Sequence, residues 1–217
     1  MSKGRRALMA LVGGLLGGIV YLVTMGIQRP TPPAREGQQQ GHKDMQQPRK
    51  HRCVAICLEQ GVNEYIYEAA AGALKNAYEV DVVRGPALFL PEWTLDKGRE
   101  QYLADAVLNC VPLPDEARFS LGIVQGDLYT PGLNFVFGMA QGRRAVISIF
   151  RLRAGTLGDQ LFRRRVAVEA VHEVGHLLGL GHCTNHTCVM FFSNTLADTD
   201  RKTPQLCAAC KATLRGE

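Results

Sequence analysis

Residues 172–183 read His172-Glu173-Val174-Gly175-His176-Leu177-Leu178-Gly179-Leu180-Gly181-His182-Cys183. Three histidines stand here at metal-ligand spacing around one glutamate. On a helix, His172 and His176 leave the same face one turn apart and can grip a single Zn²⁺. Glu173 follows the first of them directly, where its carboxylate can reach a water beside the metal without joining the metal itself. Gly179 lets the chain break from the helix so that His182 returns as a third ligand. Three protein ligands leave a fourth position for water, the pattern of a catalytic zinc site. The helix has independent support: Phe162, Val166, Ala170, Val174 and Leu178 form an apolar stripe at four-residue steps, widened by Val171 and Leu177. Thr156 with Asp159 offers a capping-box start.

A second set of metal-ligand residues follows. Cys183 comes directly after His182, then Cys188, and later Cys207-Ala208-Ala209-Cys210. Two cysteine pairs of this kind have the spacing of a closed tetrahedral thiolate zinc site, which would tie the loop carrying His182 to the C-terminal segment. Two disulfides, or buried free thiols, are the alternatives.

The assembly H-E-x-x-H-x-x-G-x-x-H-C at 172–183, with Cys188, Met190 and the terminal C-x-x-C, resembles the archaemetzincin family of metzincin zinc metallopeptidases. Asp127-Leu128-Tyr129, Asn134-Phe135-Val136-Phe137-Gly138 and the run Val146–Leu152 also look like segments of that family, so the resemblance covers residues 52–215. It implies an α/β zincin domain with a mixed twisted sheet, an active-site helix and a C-terminal segment bound to zinc by four cysteines. It also implies that Met190 forms the apolar floor beneath the three histidines.

The rest of the chain divides in two. At 217 residues there is room for a domain of about 160 residues with a real core, plus a head. Lys3, Arg5 and Arg6 precede an uncharged, largely apolar stretch at 7–27, long enough to cross a bilayer as a helix. A Gln-, Pro- and Gly-rich segment without periodicity follows. The expected organisation is thus a single transmembrane anchor at 1–27, a flexible linker at 28–51 and a peptidase domain at 52–217. Of 25 basic and 20 acidic residues, nine and two lie in 1–52, so the head and linker carry +7 and the domain −2, and the net charge of +5 comes from the former. This argues against nucleic acid as a partner and places the head near anionic lipid. The side of the membrane stays open, because thiolate zinc ligands suit a reducing compartment whereas the leading basic residues favour export of the domain. Met45 leaves a cytoplasmic chain with a downstream start as the alternative. Arg163-Arg164-Arg165 reads as a solvated face of the active-site helix, or as a greeting surface for acidic substrate.

Within the domain, Cys53–Leu58 reads as a buried strand. A helix follows near 63–78, a strand near 80–83 and a second helix over 95–110. Further strands are expected near 120–124, 134–137 and 145–150, with 134–138 as the sheet edge available to an extended peptide. The implied function is hydrolysis of peptide bonds in peptide or protein substrates by zinc-activated water. Zinc would be held by His172, His176 and His182, with Glu173 as general base and a second zinc on Cys183, Cys188, Cys207 and Cys210. The rival readings are a membrane-tethered, zinc-stabilised binding module and a hydrolase of non-peptide amides or esters.

Overall fold

The computed structural model describes residues 53–156 and 158–217. Its centre is a five-stranded sheet in the order β2-β1-β5-β8-β7. β1 (Cys53–Leu58), β2 (Asp81–Arg84), β5 (Phe119–Val124) and β8 (Arg144–Ser148) run parallel, and β7 (Gly138–Gln141) closes one edge antiparallel to β8. Both faces of the inner strands are covered, so their sequences are continuous apolar runs, and the two-residue period sorts the side chains by face. Ile56, Leu121, Ile123 and Ile147 join the core beneath α1 (Glu64–Tyr78) and α3 (Asp159–Leu177). Cys57, Val124 and Val146 pack on the opposite side with Leu88 and with Val107 of α2 (Ala104–Cys110).

Local chemistry sets the ends of the helices. Asn63 caps α1, its side chain accepting the Tyr65 N–H at 3.2 Å, and Glu79 ends it in the left-handed conformation. The capping box expected at Thr156 is not formed: Gly158 is the N-cap of α3, and the Thr156 hydroxyl donates to the Arg153 carbonyl. The 19-residue α3 is buried on more than its apolar stripe, since Arg165, Glu169, His172 and Glu173 are buried too. Two short helices follow, α4 (Leu196–Arg201) and α5 (Ala208–Arg215), and Thr195 and Asp198 form a capping box at the start of α4.

Three expectations need correction. The helix read over 95–110 exists only from Ala104 onward. Asp96 accepts the N–H groups of Gly98 and Arg99, which turns the chain back and makes Leu95–Asp96 (β3) pair antiparallel with Gln101–Leu103 (β4). β4 also pairs with Leu128–Tyr129 (β6) in a small second sheet. The edge strand begins at Gly138 and not at 134, because residues 133–137 are irregular apart from one bridge between Val136 and Leu128. The transmembrane helix is the third correction. Among the described residues no helix is long and apolar enough to cross a membrane, and the stretch 7–27 on which that expectation rested lies outside them, as does the linker at 28–51. The architecture is an α/β domain with a mixed sheet and no membrane span among its described elements; the membrane localisation and the membrane partner inferred from that helix go with it.

Candidate metal centre and cleft

His172 and His176 project from the last two turns of α3 with ring centroids 4.7 Å apart. Each Nδ1 faces a backbone carbonyl: His172 donates to Val189 at 2.8 Å and His176 to Leu180 at 2.9 Å. A carbonyl only accepts, so each Nδ1 carries the hydrogen and each Nε2 is left with its lone pair. Those two Nε2 atoms face each other at 3.1 Å. Two acceptors so placed repel unless a cation sits between them. Zinc bonds of about 2.0–2.1 Å at the tetrahedral angle would set them about 3.3 Å apart, so the pair fits this metal. Burial pushes His172 well below the ordinary imidazole range, with the Lys202 charge adding to the effect, which favours the neutral, ligating form.

His182 completes the group. Gly179, at φ +91°, ends α3: its N–H bonds to the His176 carbonyl and the Leu180 N–H to the Gly175 carbonyl, both at 3.0 Å. This is the turn expected from the sequence. It also delivers the Leu180 carbonyl that orients His176. The His182 ring then lies 4.9 Å from that of His176 and 5.4 Å from that of His172, and the nitrogens of the three side chains lie within 4.8 Å of one another. Burial lowers the His182 pKa as well, followed by the effects of His176 and Lys202. Met190 is fully buried and packs against Gly175, where a Cβ would collide with its sulfur and come within 2.5 Å of the Tyr78 hydroxyl. Tyr78 Oη donates to the Val171 carbonyl at 2.7 Å and lies 3.9 Å from Met190 Sδ, which joins the end of α1 to the floor of the site.

Glu173 is buried beside His172, and burial raises its carboxyl well above the usual carboxylate range, with Glu169 adding and Lys202 opposing. Gly138 makes room for it: a Cβ there would lie 2.7 Å from Glu173 Cγ, Glu173 Oε1 and the Val146 carbonyl. His172 and Glu173 line a cleft of about 260 Å³, walled by 133–138 on one side and 192–194 on the other. Residues 134–138 therefore border the site as expected, although they do so as irregular chain leading into the edge strand.

Sequence reading missed a buried ion pair whose carboxylate partner, Glu169, lines the cleft. Lys202 has no solvent exposure; its Nζ lies 3.3 Å from Glu169 Oε1 and donates to the Phe191 carbonyl at 3.2 Å, and Thr199 donates to the same carboxylate oxygen. The pair ties the loop after Met190 to α3. Of the arginine triplet only Arg163 is a solvated side chain. Arg165 is buried and grips the Asp200 carboxylate with two nitrogens, Arg164 donates to the carbonyls of Asp200 and Lys202, and Arg163 lies over the Tyr65 ring. Arg164 and Arg165 thus fasten α4 to α3, whereas Arg163 lies against α1. Tyr129 is not among the residues lining the cleft; its hydroxyl donates to Asp96.

The four cysteines converge as expected. Cys183 Sγ lies 3.8 Å from Cys207 Sγ and Cys188 Sγ 3.7 Å from Cys210 Sγ, and all four sulfurs are within 4.8 Å of one another. These separations are far beyond the roughly 2.05 Å of a disulfide. They match the edge of about 3.8 Å in a tetrahedron with Zn–S bonds of about 2.3 Å. Backbone N–H groups point at two of these sulfurs, Asn185 donating to Cys183 Sγ and Cys207 to Cys188 Sγ, each at 3.4 Å, while burial pushes the Cys188 and Cys210 thiols up. The Cys210 N–H leads the effects that draw the Cys207 thiol down to about 7.

Residues 94–216 match the family described as Peptidase family M54. The archaemetzincin of Archaeoglobus fulgidus is 40% identical over 156 residues, which cover 71% of this chain and 94% of that protein. That of Methanopyrus kandleri is 46% identical over 161 residues, covering 73% and 84%. The crystal structure of the Methanopyrus kandleri archaemetzincin superimposes with a TM-score of 0.71 at 38% identity, over 78% of this chain and 97% of that one. A zinc-dependent peptidase from Methanocorpusculum labreanum superimposes with a TM-score of 0.65 at 28% identity, over 74% and 99%.

Proposed function

Since this chain belongs to peptidase family M54, the archaemetzincins, and is a zinc metallopeptidase, we propose that its peptide-bond hydrolysis is run by one zinc on His172, His176 and His182 with Glu173 as the general base. The observation that carries the assignment is the pair of lone-pair-bearing Nε2 atoms facing each other at 3.1 Å, of which His172 lines the cleft together with the Glu173 carboxylate. Held by these three histidines, zinc would supply Lewis acidity, bringing the pKa of water down to about 7 and polarising the scissile carbonyl. Glu173 takes a proton from the attacking water at its carboxylate oxygen and returns it to the amine nitrogen as the C–N bond breaks. His172 and His176 stay neutral ligands throughout, held by the Val189 and Leu180 carbonyls.

Substrate lies extended along the free edge that starts at Gly138, the side of β7 not taken by β8. A second zinc on Cys183, Cys188, Cys207 and Cys210 is structural: four sulfurs at tetrahedral spacing leave no position for water. The catalytic unit is assigned to residues 52–217. Wild-type protein should bind two zinc ions per chain and cleave members of a peptide library. Glu173→Ala should keep both ions and lose cleavage, and an unchanged turnover in that variant would remove Glu173 from the chemistry.

A further inference from the structure

The cleft wall at 133–137 has almost no secondary structure of its own, yet a wall against which a peptide lies must hold its place. What holds it is a polar network on the side away from the cleft. Asp127, buried just before β6, accepts Arg151 Nε at 2.8 Å and Nη2 at 2.7 Å, and accepts Gln101 Nε2 at 2.8 Å. Gln101 Nε2 also donates to the Asn134 carbonyl at 2.9 Å, while its Oε1 receives Arg99 Nε at 2.9 Å. Arg99 Nη2 donates to the same Asn134 carbonyl at 3.1 Å and reaches the Leu133 carbonyl at 3.4 Å. Its guanidinium lies over the Tyr129 ring at 4.3 Å, and that ring's hydroxyl is anchored on Asp96. The Arg151 guanidinium covers the Phe135 ring at 4.0 Å, and Phe135 meets Phe137 edge to face.

We infer that Arg99, Gln101, Asp127 and Arg151 are positioning residues for peptide binding, which hold the wall 133–137 in register with the metal site without touching substrate. None of the four is among the residues lining the cleft, so each acts through the wall. The small sheet β3-β4-β6 gains a function by this account: besides burying Leu128 in the core, it brings Gln101 beside Asp127 and Tyr129 beneath Arg99. It also absorbs the Asp127-Leu128-Tyr129 motif, which the hydrolytic chemistry leaves unused.

The inference rests on the peptidase reading of the cleft, so its test separates the two. Zinc-loaded full-length wild type, Arg99→Ala and Gln101→Leu are titrated with acetohydroxamate, which is small enough to meet only the metal site, and with a peptidyl hydroxamate that also spans the wall. Both variants should weaken the peptidyl probe about tenfold, the worth of one hydrogen bond to the wall, charge-assisted from Arg99 and neutral from Gln101. Acetohydroxamate affinity should not change. For a cleaved peptide, KM should rise about tenfold with kcat within threefold, as for loss of uniform binding. Amide hydrogen exchange at 133–138 should accelerate in the variants. Equal weakening of both probes, or of neither, would overturn the inference, as would unaltered exchange. Should wild type bind neither probe, the peptidase reading is what fails, and exchange at 133–138 then decides whether the network holds the wall. If Gln101→Leu does not fold, the exposed Arg99 still carries the test.

Discussion

Gly138→Ala probes how the carboxylate beside the metal site is held. An alanine Cβ at 138 would stand 2.7 Å from Glu173 Cγ and Oε1 and 2.7 Å from the Val146 carbonyl oxygen, where ordinary contact begins at 3.4 Å. About 0.7 Å has to be opened. Val146 lies within β8, held between β5 and β7, so the sheet yields little and the Glu173 side chain takes most of the displacement. A misplacement near 1 Å costs about a hundredfold in rate, and a general base contributes about 10²–10⁴ in all. The expected loss in kcat is therefore about thirtyfold, or about 2 kcal/mol of barrier. Zinc content should stay at the wild-type value, since no histidine is among the atoms the new methyl meets. Steady-state kinetics on a fluorogenic peptide with zinc analysis of the same samples gives the answer. Gly72→Ala serves as control, because its Cβ meets nothing within 4 Å. A Gly138→Ala enzyme with kcat within threefold of wild type would refute the claim that this glycine seats Glu173.

Other outcomes follow from the same contacts. Gly175→Ala drives a methyl into Met190 Sδ and Tyr78 Oη, so it should destabilise the zinc-loaded protein by about 1–3 kcal/mol, read as a drop of several degrees in Tm. Lys202→Met leaves Glu169 buried and unpaired and should cost about 3–5 kcal/mol. The double change Glu169→Gln/Lys202→Met should cost less than the single one, and strictly additive losses in urea titrations would exclude the pair as a unit. The Arg165 guanidinium holds the Asp200 carboxyl below its ordinary value. A lowered carboxyl stabilises above its unfolded pKa, so the advantage of wild type over Asp200→Asn should be full at neutral pH and fade as pH falls below about 4, measured as Tm against pH.

What could be read from the chain was whatever chemistry is local. His172 and His176 are one turn apart on any helix, Gly179 needs only its own φ, and the spacing of the cysteine pairs announces the four sulfurs that converge. The inner strands were legible because parallel strands covered on both faces are written as unbroken apolar runs. What escaped depends on partners distant in sequence. Tyr78 meets Val171 from 93 positions away, Gln101 meets Asp127 across 26, and nothing near Lys202 in sequence announces that its ammonium is buried against Glu169. Elsewhere one local signal overrides another. The apolar positions Tyr102, Leu103, Ala106 and Val107 suggested a long helix, whereas Asp96 and Gly98 marked the turn that confines it to 104–110. Hydropathy alone suggested the transmembrane segment, and the described fold contains no such helix.

His182 and Cys183 are consecutive, so the imidazole trio and the sulfur quartet share a peptide unit. An oxidant that coupled Cys183 to Cys207 would draw their sulfurs from 3.8 Å to about 2.05 Å and drag the neighbouring imidazole with them. Peroxide could thus disarm the enzyme while modifying no group inside the cleft. Turnover would be forfeited through the scaffold alone.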